Sequence, residues 1–181
     1  RPFRCPQPSN TSAGPIGGGG TARPGEVSPA HNGVLFLDEM LEFPRSVLEG
    51  LRQPMEEGKV VISRATMSVP FPARFTLVGA SNPCPCGRLG DPTGRCTCSP
   101  SDVERYSSRM SGPLSDRIYM HVAVGAVPLN DLSTCASGES SSILRTRVDV
   151  ARERQASRFA RLRGIECNAH SPGRWIDSHG N

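Results

Sequence analysis

At 181 residues with 36% hydrophobic content, the chain has the length of one domain or one and a half and can bury a substantial core. No apolar run approaches the about 18 residues that span a bilayer, and the opening "RPFRCPQPSN" lacks the apolar centre of a signal peptide. The expectation is a soluble, cytoplasmic protein with no membrane partner. Its net charge of +4 lies entirely in the segment Glu139–Arg163, with seven arginines against three acids, so any attraction to a polyanion should be strongest there. A solvated helix face is the simpler reading of that segment.

Along the chain, the first thirty-odd residues are rich in Pro, Gly, Ser and Thr and read as loop. "GVLFLDE" then reads as a buried strand. "PRSVLEGLRQPMEEG" places Val47, Leu48, Leu51 and Met55 at helical spacing, which predicts a short helix from Pro44, with Pro54 in its last turn and Gly58 beyond it. "KVVISRATMSVPFPARF" predicts a hairpin, and "TLVGASNP" a second buried strand ended by Asn-Pro. A Cys, Gly and Pro loop runs from Pro83 to Pro100. "SDVERYSSRM" follows as a helix capped by Ser101 or Asp102, with Glu104 placed for a capping box, and "RIYMHVAV" reads as a third strand. After a linker, Gly125–Ser137, a helix is predicted from Ser140 to Arg163, with Ile143, Leu144, Val148, Ala151, Phe159 and Leu162 as one apolar stripe. "SPGRWIDSHGN" closes no recognisable element, which suggests a chain that stops inside a larger protein.

Two patterns carry chemistry. In "VLFLDEM", four apolar residues run into adjacent carboxylates, Asp38 and Glu39, the pattern of a Walker B strand, where Asp holds Mg²⁺ against a nucleotide and Glu orients the attacking water. A cap pair ending a core strand is the bland alternative. Such a strand needs a phosphate loop, G-x-x-x-x-G-K-[ST], and "GPIGGGGT" at Gly14–Thr21 matches except at the lysine, where Gly20 stands. Gly20 supplies no cation, no apolar strand precedes the loop, and the sole lysine is Lys59, so the phosphate loop is expected before Arg1.

The second pattern is Cys84, Cys86, Cys96 and Cys98, spaced C-x-C-x₉-C-x-C across a loop with almost no apolar residues of its own. Two close pairs of thiolates suit structural Zn²⁺, with free or oxidised thiols as the alternative. Seven cysteines in all, four of them bunched, fit a reducing compartment better than a disulfide framework. Cys5, Cys135 and Cys167 show no partner spacing, and His31, His121, His170 and His179 receive no role.

The stretch from "RPFRCPQPSN" through "NGVLFLDEMLEFPRSVLEGLRQPMEEGKVVISRATMSVPFPARFTLVGASNPCPCG", followed by "YSSRMSGPLSDRI", closely resembles the magnesium-chelatase-like AAA+ ATPases of the YifB/ComM family over nearly the whole chain. The family's "PHH" is replaced by Pro6-Gln7-Pro8. The resemblance implies an α/β fold: a partial AAA+ (P-loop NTPase) core with a mainly parallel sheet at residues 1–128, then a linker and the start of a helical lid at 129–181. It also implies ATP and Mg²⁺ as cofactors. Asp38 and Glu39 match Walker B, and Asn82 matches the sensor that feels the γ-phosphate and holds the water. Arg117 matches the finger that reaches a neighbour's nucleotide, with Arg109 the weaker candidate, and the hairpin from Ser63 to Pro70 matches a pore-facing insert. The implied protein is a homo-oligomeric, hexameric ring that couples ATP hydrolysis to DNA remodelling, as a branch-migration helicase in natural transformation, while the chain alone lacks Walker A and is expected to be inactive. The alternatives are a magnesium-chelatase-type ATPase subunit and a zinc-stabilised, non-enzymatic interaction module. The sigma-54 activators share the Walker B strand, but their GAFTGA loop is absent.

Overall fold

The computed structural model describes residues 2–8, 16–18, 23–64, 67–92, 94–125, 138–162, 164–165 and 167–179, in two compact units, Arg1–Ala126 and Val127–Asn181. The phosphate-loop lookalike at Gly14–Thr21 falls mostly outside the described residues, as do Cys135 and the boundary near residue 128. The first unit contains β1 (Phe3–Arg4), β2 (Gly17–Gly18), β3 (Arg23–Pro24), β4 (Gly33–Leu37), α1 (Arg45–Gly50), α2 (Arg52–Glu57), β5 (Lys59–Arg64), β6 (Met67–Pro72), β7 (Phe75–Gly79), α3 (Pro100–Ser107) and α4 (Gly112–Ser115). The fold is α/β, with a parallel sheet ordered β1-β4-β7 at its centre.

β4 earns the central place through its side chains. Leu35 and Leu37 are fully buried on one face, where they join Val27, Met40, Val47 and Leu48, while Phe36 on the other face stacks on Phe3. β4 and β7 pair in register from Gly33 with Phe75 to Leu37 with Gly79. The register is fixed where the two strands start: Asn32, at a left-handed φ of 58°, donates its N–H to the Arg74 carbonyl at 2.6 Å, and the Arg74 N–H donates to His31 Nδ1 at 3.0 Å. His31, which the sequence left without a role, is thus a sheet clamp.

The predicted hairpin forms as the antiparallel β5–β6 pair, in register from Lys59 with Pro72 to Arg64 with Met67, with Val60 and Ile62 buried. Four expectations are corrected. The single helix expected after Pro44 is two, α1 and α2, broken at Leu51. Pro54 has no N–H for the Gly50 carbonyl and its ring would crowd that carbonyl, so it falls in the first turn of a second helix, and Gly58 at φ 66° ends that helix. The cap of α3 is Ser99, because Pro100 takes the first helical position and sets its φ in advance.

The other two corrections concern strands. "RIYMHVAV" forms no strand, and Tyr119, Met120, Val122 and Val124 are each more than four-fifths exposed; among the described residues no ladder partner lies beside them. β7 is a strand, yet it is half-buried, with Val78 42% exposed, since it has a neighbour on one edge only among the described residues.

In the second unit, α5 (Ser141–Phe159) confirms the long helix and α6 (Gly173–His179) is an element that the sequence did not suggest. Of the predicted stripe only Phe159 is buried, under Trp175 at a ring separation of 5.0 Å; Ile143, Leu144 and Val148 are about half exposed. A stripe is covered only where a second element meets it, and α6 meets only its end. No helix among the described residues is long and apolar enough to cross a membrane.

Candidate nucleotide and metal site

Where β4 ends, the Ala80 N–H donates to the Leu37 carbonyl at 2.9 Å and the Met40 N–H donates to the Ala80 carbonyl at 2.8 Å. These bonds lash the chain after β4 to the chain after β7. Asp38 and Glu39 sit in this turn, both exposed, and Asp38 Oδ1 accepts the Glu39 N–H at 3.0 Å. Glu39 adopts φ 49° and ψ 45°, a left-handed conformation that a non-glycine residue holds only where the surroundings enforce it. The next residue, Met40, is buried, and its side chain lies across Gly79; a Cβ there would come 2.5 Å from its sulfur.

Asn82, exposed, follows β7 by three residues. The structure therefore brings Asp38, Glu39 and Asn82 to the same carboxyl edge of two adjacent parallel strands, which is where open α/β sheets bind their ligands.

Arg117 lies just past α4 and is engaged within its own unit. It pairs with Glu56 on α2 and donates to the Pro113 carbonyl; its side chain is 27% exposed, and its buried Nε finds no acceptor. Arg109 has a different task. Its guanidinium donates to the Leu41 carbonyl at 2.8 Å and to Glu42 Oε2 at 3.0 Å, with its Cζ 5.5 Å from the Tyr106 ring centre. It ties the turn after Asp38 and Glu39 to α3, a contact between distant parts of the chain that left no mark in the sequence.

The loop after Asn82 gathers the four cysteines. Cys84 is buried, and its sulfur lies 3.4 Å from that of Cys86 and 3.8 Å from that of Cys96, with Cys86 and Cys96 3.6 Å apart. All four sulfurs fall within 4.8 Å of one another, and the cysteines are unbridged. A single ion held tetrahedrally at about 2.3 Å from four thiolates requires sulfurs about 3.8 Å apart, so the donor set fits one metal ion. The electrostatics agree. The backbone N–H groups of Thr97 and Arg88, with the Cys84 thiol, bring Cys86 down to about 6. Cys98 is pushed up to about 12: a backbone N–H of Cys86 favours its thiolate, but burial and the Cys86 and Cys84 sulfurs outweigh it. Four neighbouring thiols resist ionising together unless a cation compensates them.

A parallel sheet with helices packed beside it is the architecture of a partial P-loop NTPase core. The family model described as magnesium chelatase, subunit ChlI, matches residues 1–132. The chain is 42% identical to the uncharacterized protein YifB of Salmonella typhimurium over 98% of its length and 37% of that protein's. It is 44% identical to the uncharacterized protein YifB of Escherichia coli over 98% of its length and 33% of that protein's. Its identity to the competence protein ComM of Haemophilus influenzae is 45%, over 90% of this chain and 32% of that one. The chain belongs to the magnesium-chelatase-like YifB/ComM family of AAA+ ATPases, and it spans about a third of the length of these curated relatives.

Proposed function

We propose that this chain carries the hydrolytic half of a nucleotide site in an ATP-driven ring, and that the whole protein spends ATP on remodelling DNA, as a branch-migration helicase does. The observation that carries the reading is the placing of Asp38, Glu39 and Asn82 on adjacent strand ends. Asp38 holds Mg²⁺ bound to the nucleotide, Glu39 orients the attacking water, and Asn82 contacts the γ-phosphate; Arg117 reaches the nucleotide of the next subunit. A phosphate-loop strand from outside these 181 residues has a place on the second edge of β7, which is unpaired among the described residues. Residues 129–181 begin the helical lid, the β5–β6 hairpin faces the pore, and the Cys84, Cys86, Cys96 and Cys98 cluster holds Zn²⁺.

The test uses the full-length protein. Glu39→Gln should retain ATP binding and lose turnover, whereas Asp38→Asn should in addition weaken Mg²⁺ binding, and branched DNA should stimulate the wild-type ATPase. Turnover that survives Glu39→Gln would refute the hydrolytic assignment. ATPase activity indifferent to DNA would leave the motor and remove its DNA substrate.

A further inference from the structure

We infer that the metal bound by the four cysteines sets the position of Asn82, so that loss of the metal impairs hydrolysis without impairing nucleotide binding. The inference rests on the reading of Asn82 as the residue that contacts the γ-phosphate.

Asn82 has little else to hold it. It is exposed, β7 ended three residues earlier, and the last backbone anchor to β4 is the Ala80 carbonyl, bonded by the Met40 N–H. Beyond Asn82 the first fixed point is Cys84, fully buried and separated from it only by Pro83, whose ring restricts both its own φ and the backbone of Asn82 before it. The chain then reverses through Cys84-Pro85-Cys86-Gly87, closed by the Gly87 N–H donating to the Cys84 carbonyl at 3.0 Å. Gly87 stands at φ 74°, and the turn brings it back onto the Asn82 side chain: a Cβ built there would lie 3.6 Å from both Cγ and Oδ1 of the carboxamide. Asn82 is thus flanked in sequence and in space by one metal knuckle.

The rest of the loop cannot hold that knuckle without a metal. Of its described residues from Pro83 to Ser99 only Cys84 is buried, so there is no apolar core to substitute for the ion. The sulfurs of Cys84, Cys86 and Cys96 lie 3.4 to 3.8 Å apart and all four fall within 4.8 Å, which suits one tetrahedral Zn²⁺; a disulfide needs about 2.05 Å. Metal release therefore frees the segment that carries Asn82. The paired β4 and β7, and with them Asp38, stay in place.

The experiment is a cycle on the full-length protein, with Asn82→Ala as one axis and metal content as the other. Elemental analysis should find one Zn²⁺ per chain in the purified protein. Removing it with a chelator should lower kcat about 10- to 100-fold, leave the ATP dissociation constant within about threefold, and be reversed by added Zn²⁺. Backbone hydrogen exchange in the peptide spanning residues 80–90 should rise on removal while that of β4 stays protected. In the Asn82→Ala protein, removal should lower kcat no further, because the two changes act through one group. An equal further loss there overturns the inference and leaves the nucleotide reading standing, as does the absence of bound zinc. Full turnover by metal-loaded Asn82→Ala overturns the reading itself. If the metal-free protein unfolds, Pro83→Gly decides the matter, since it retains all four thiolates while loosening the one-residue link between Cys84 and Asn82. Full zinc with impaired turnover supports the coupling, and full zinc with wild-type turnover refutes it.

Discussion

The arginine assigned to a neighbour's nucleotide is held in its own subunit. Arg117 pairs with Glu56 and its Nε is buried without an acceptor, an arrangement that satisfies the guanidinium only in part. A partly exposed ion pair contributes about 0.2–1 kcal/mol, and a contact can bias a conformational equilibrium only by its own free energy. Breaking it should therefore help Arg117 reach outward by a small factor. Glu56→Gln in the full-length protein is expected to raise ATP turnover by at most about fivefold, with a stability loss within about 1 kcal/mol by denaturant titration. Turnover that falls would show that Glu56 supports the active arrangement of Arg117.

At the scale of elements, α3 depends on one cap that can be removed singly. The Ser99 hydroxyl accepts the Asp102 N–H at 3.2 Å and Asp102 Oδ2 accepts the Ser99 N–H at 3.3 Å, a complete capping box. Ser99→Ala should cost about 1 kcal/mol by denaturant titration. The bonds from the Ser99 hydroxyl and backbone hold the Asp102 carboxyl below its usual range, so their stabilisation is present above the ordinary carboxylate pKa and fades as pH falls through the depressed one. Ser99→Ala should move that titration upward, which a carbon-detected NMR titration of Asp102 would register. The sequence announced α3 but placed its cap late, because Ser101 and Asp102 also have cap chemistry and the deciding residue was Pro100. β4, the β5–β6 hairpin and α5 were legible since alternation and periodicity are local signals, and the sulfur cluster was legible from cysteine spacing. What pairs with what was not: β1 is two residues long, the segment after Arg117 has strand chemistry without a ladder among the described residues, and the links from His31 to Arg74, Arg109 to Glu42 and Arg117 to Glu56 join residues far apart in sequence.

For the molecule as a whole, the proposed function divides the assigned groups into two sets that would serve different nucleotide sites. Asp38, Glu39 and Asn82 share the carboxyl edge of one sheet, whereas Arg117 lies beyond α4 and is assigned to the site of the next subunit. In the proposed ring, a site would be complete only when one subunit supplies the carboxylates and its neighbour the arginine. Arg117→Ala should leave each subunit able to bind ATP and should lower turnover by about 10³-fold or more, the range attributed to an arginine finger. Glu39→Gln should be inactive for the other reason, lacking the group that orients water. Mixed rings of the two variants then contain some interfaces in which an intact Glu39 faces an intact Arg117, and partial turnover should return there although neither parent has any. The mixture is assayed after subunit exchange has been verified, for instance by co-purification of differently tagged subunits. Verified mixed rings without recovered turnover would show that Arg117 acts within its own subunit, beside Glu56, and that the nucleotide site does not draw on it from across the interface.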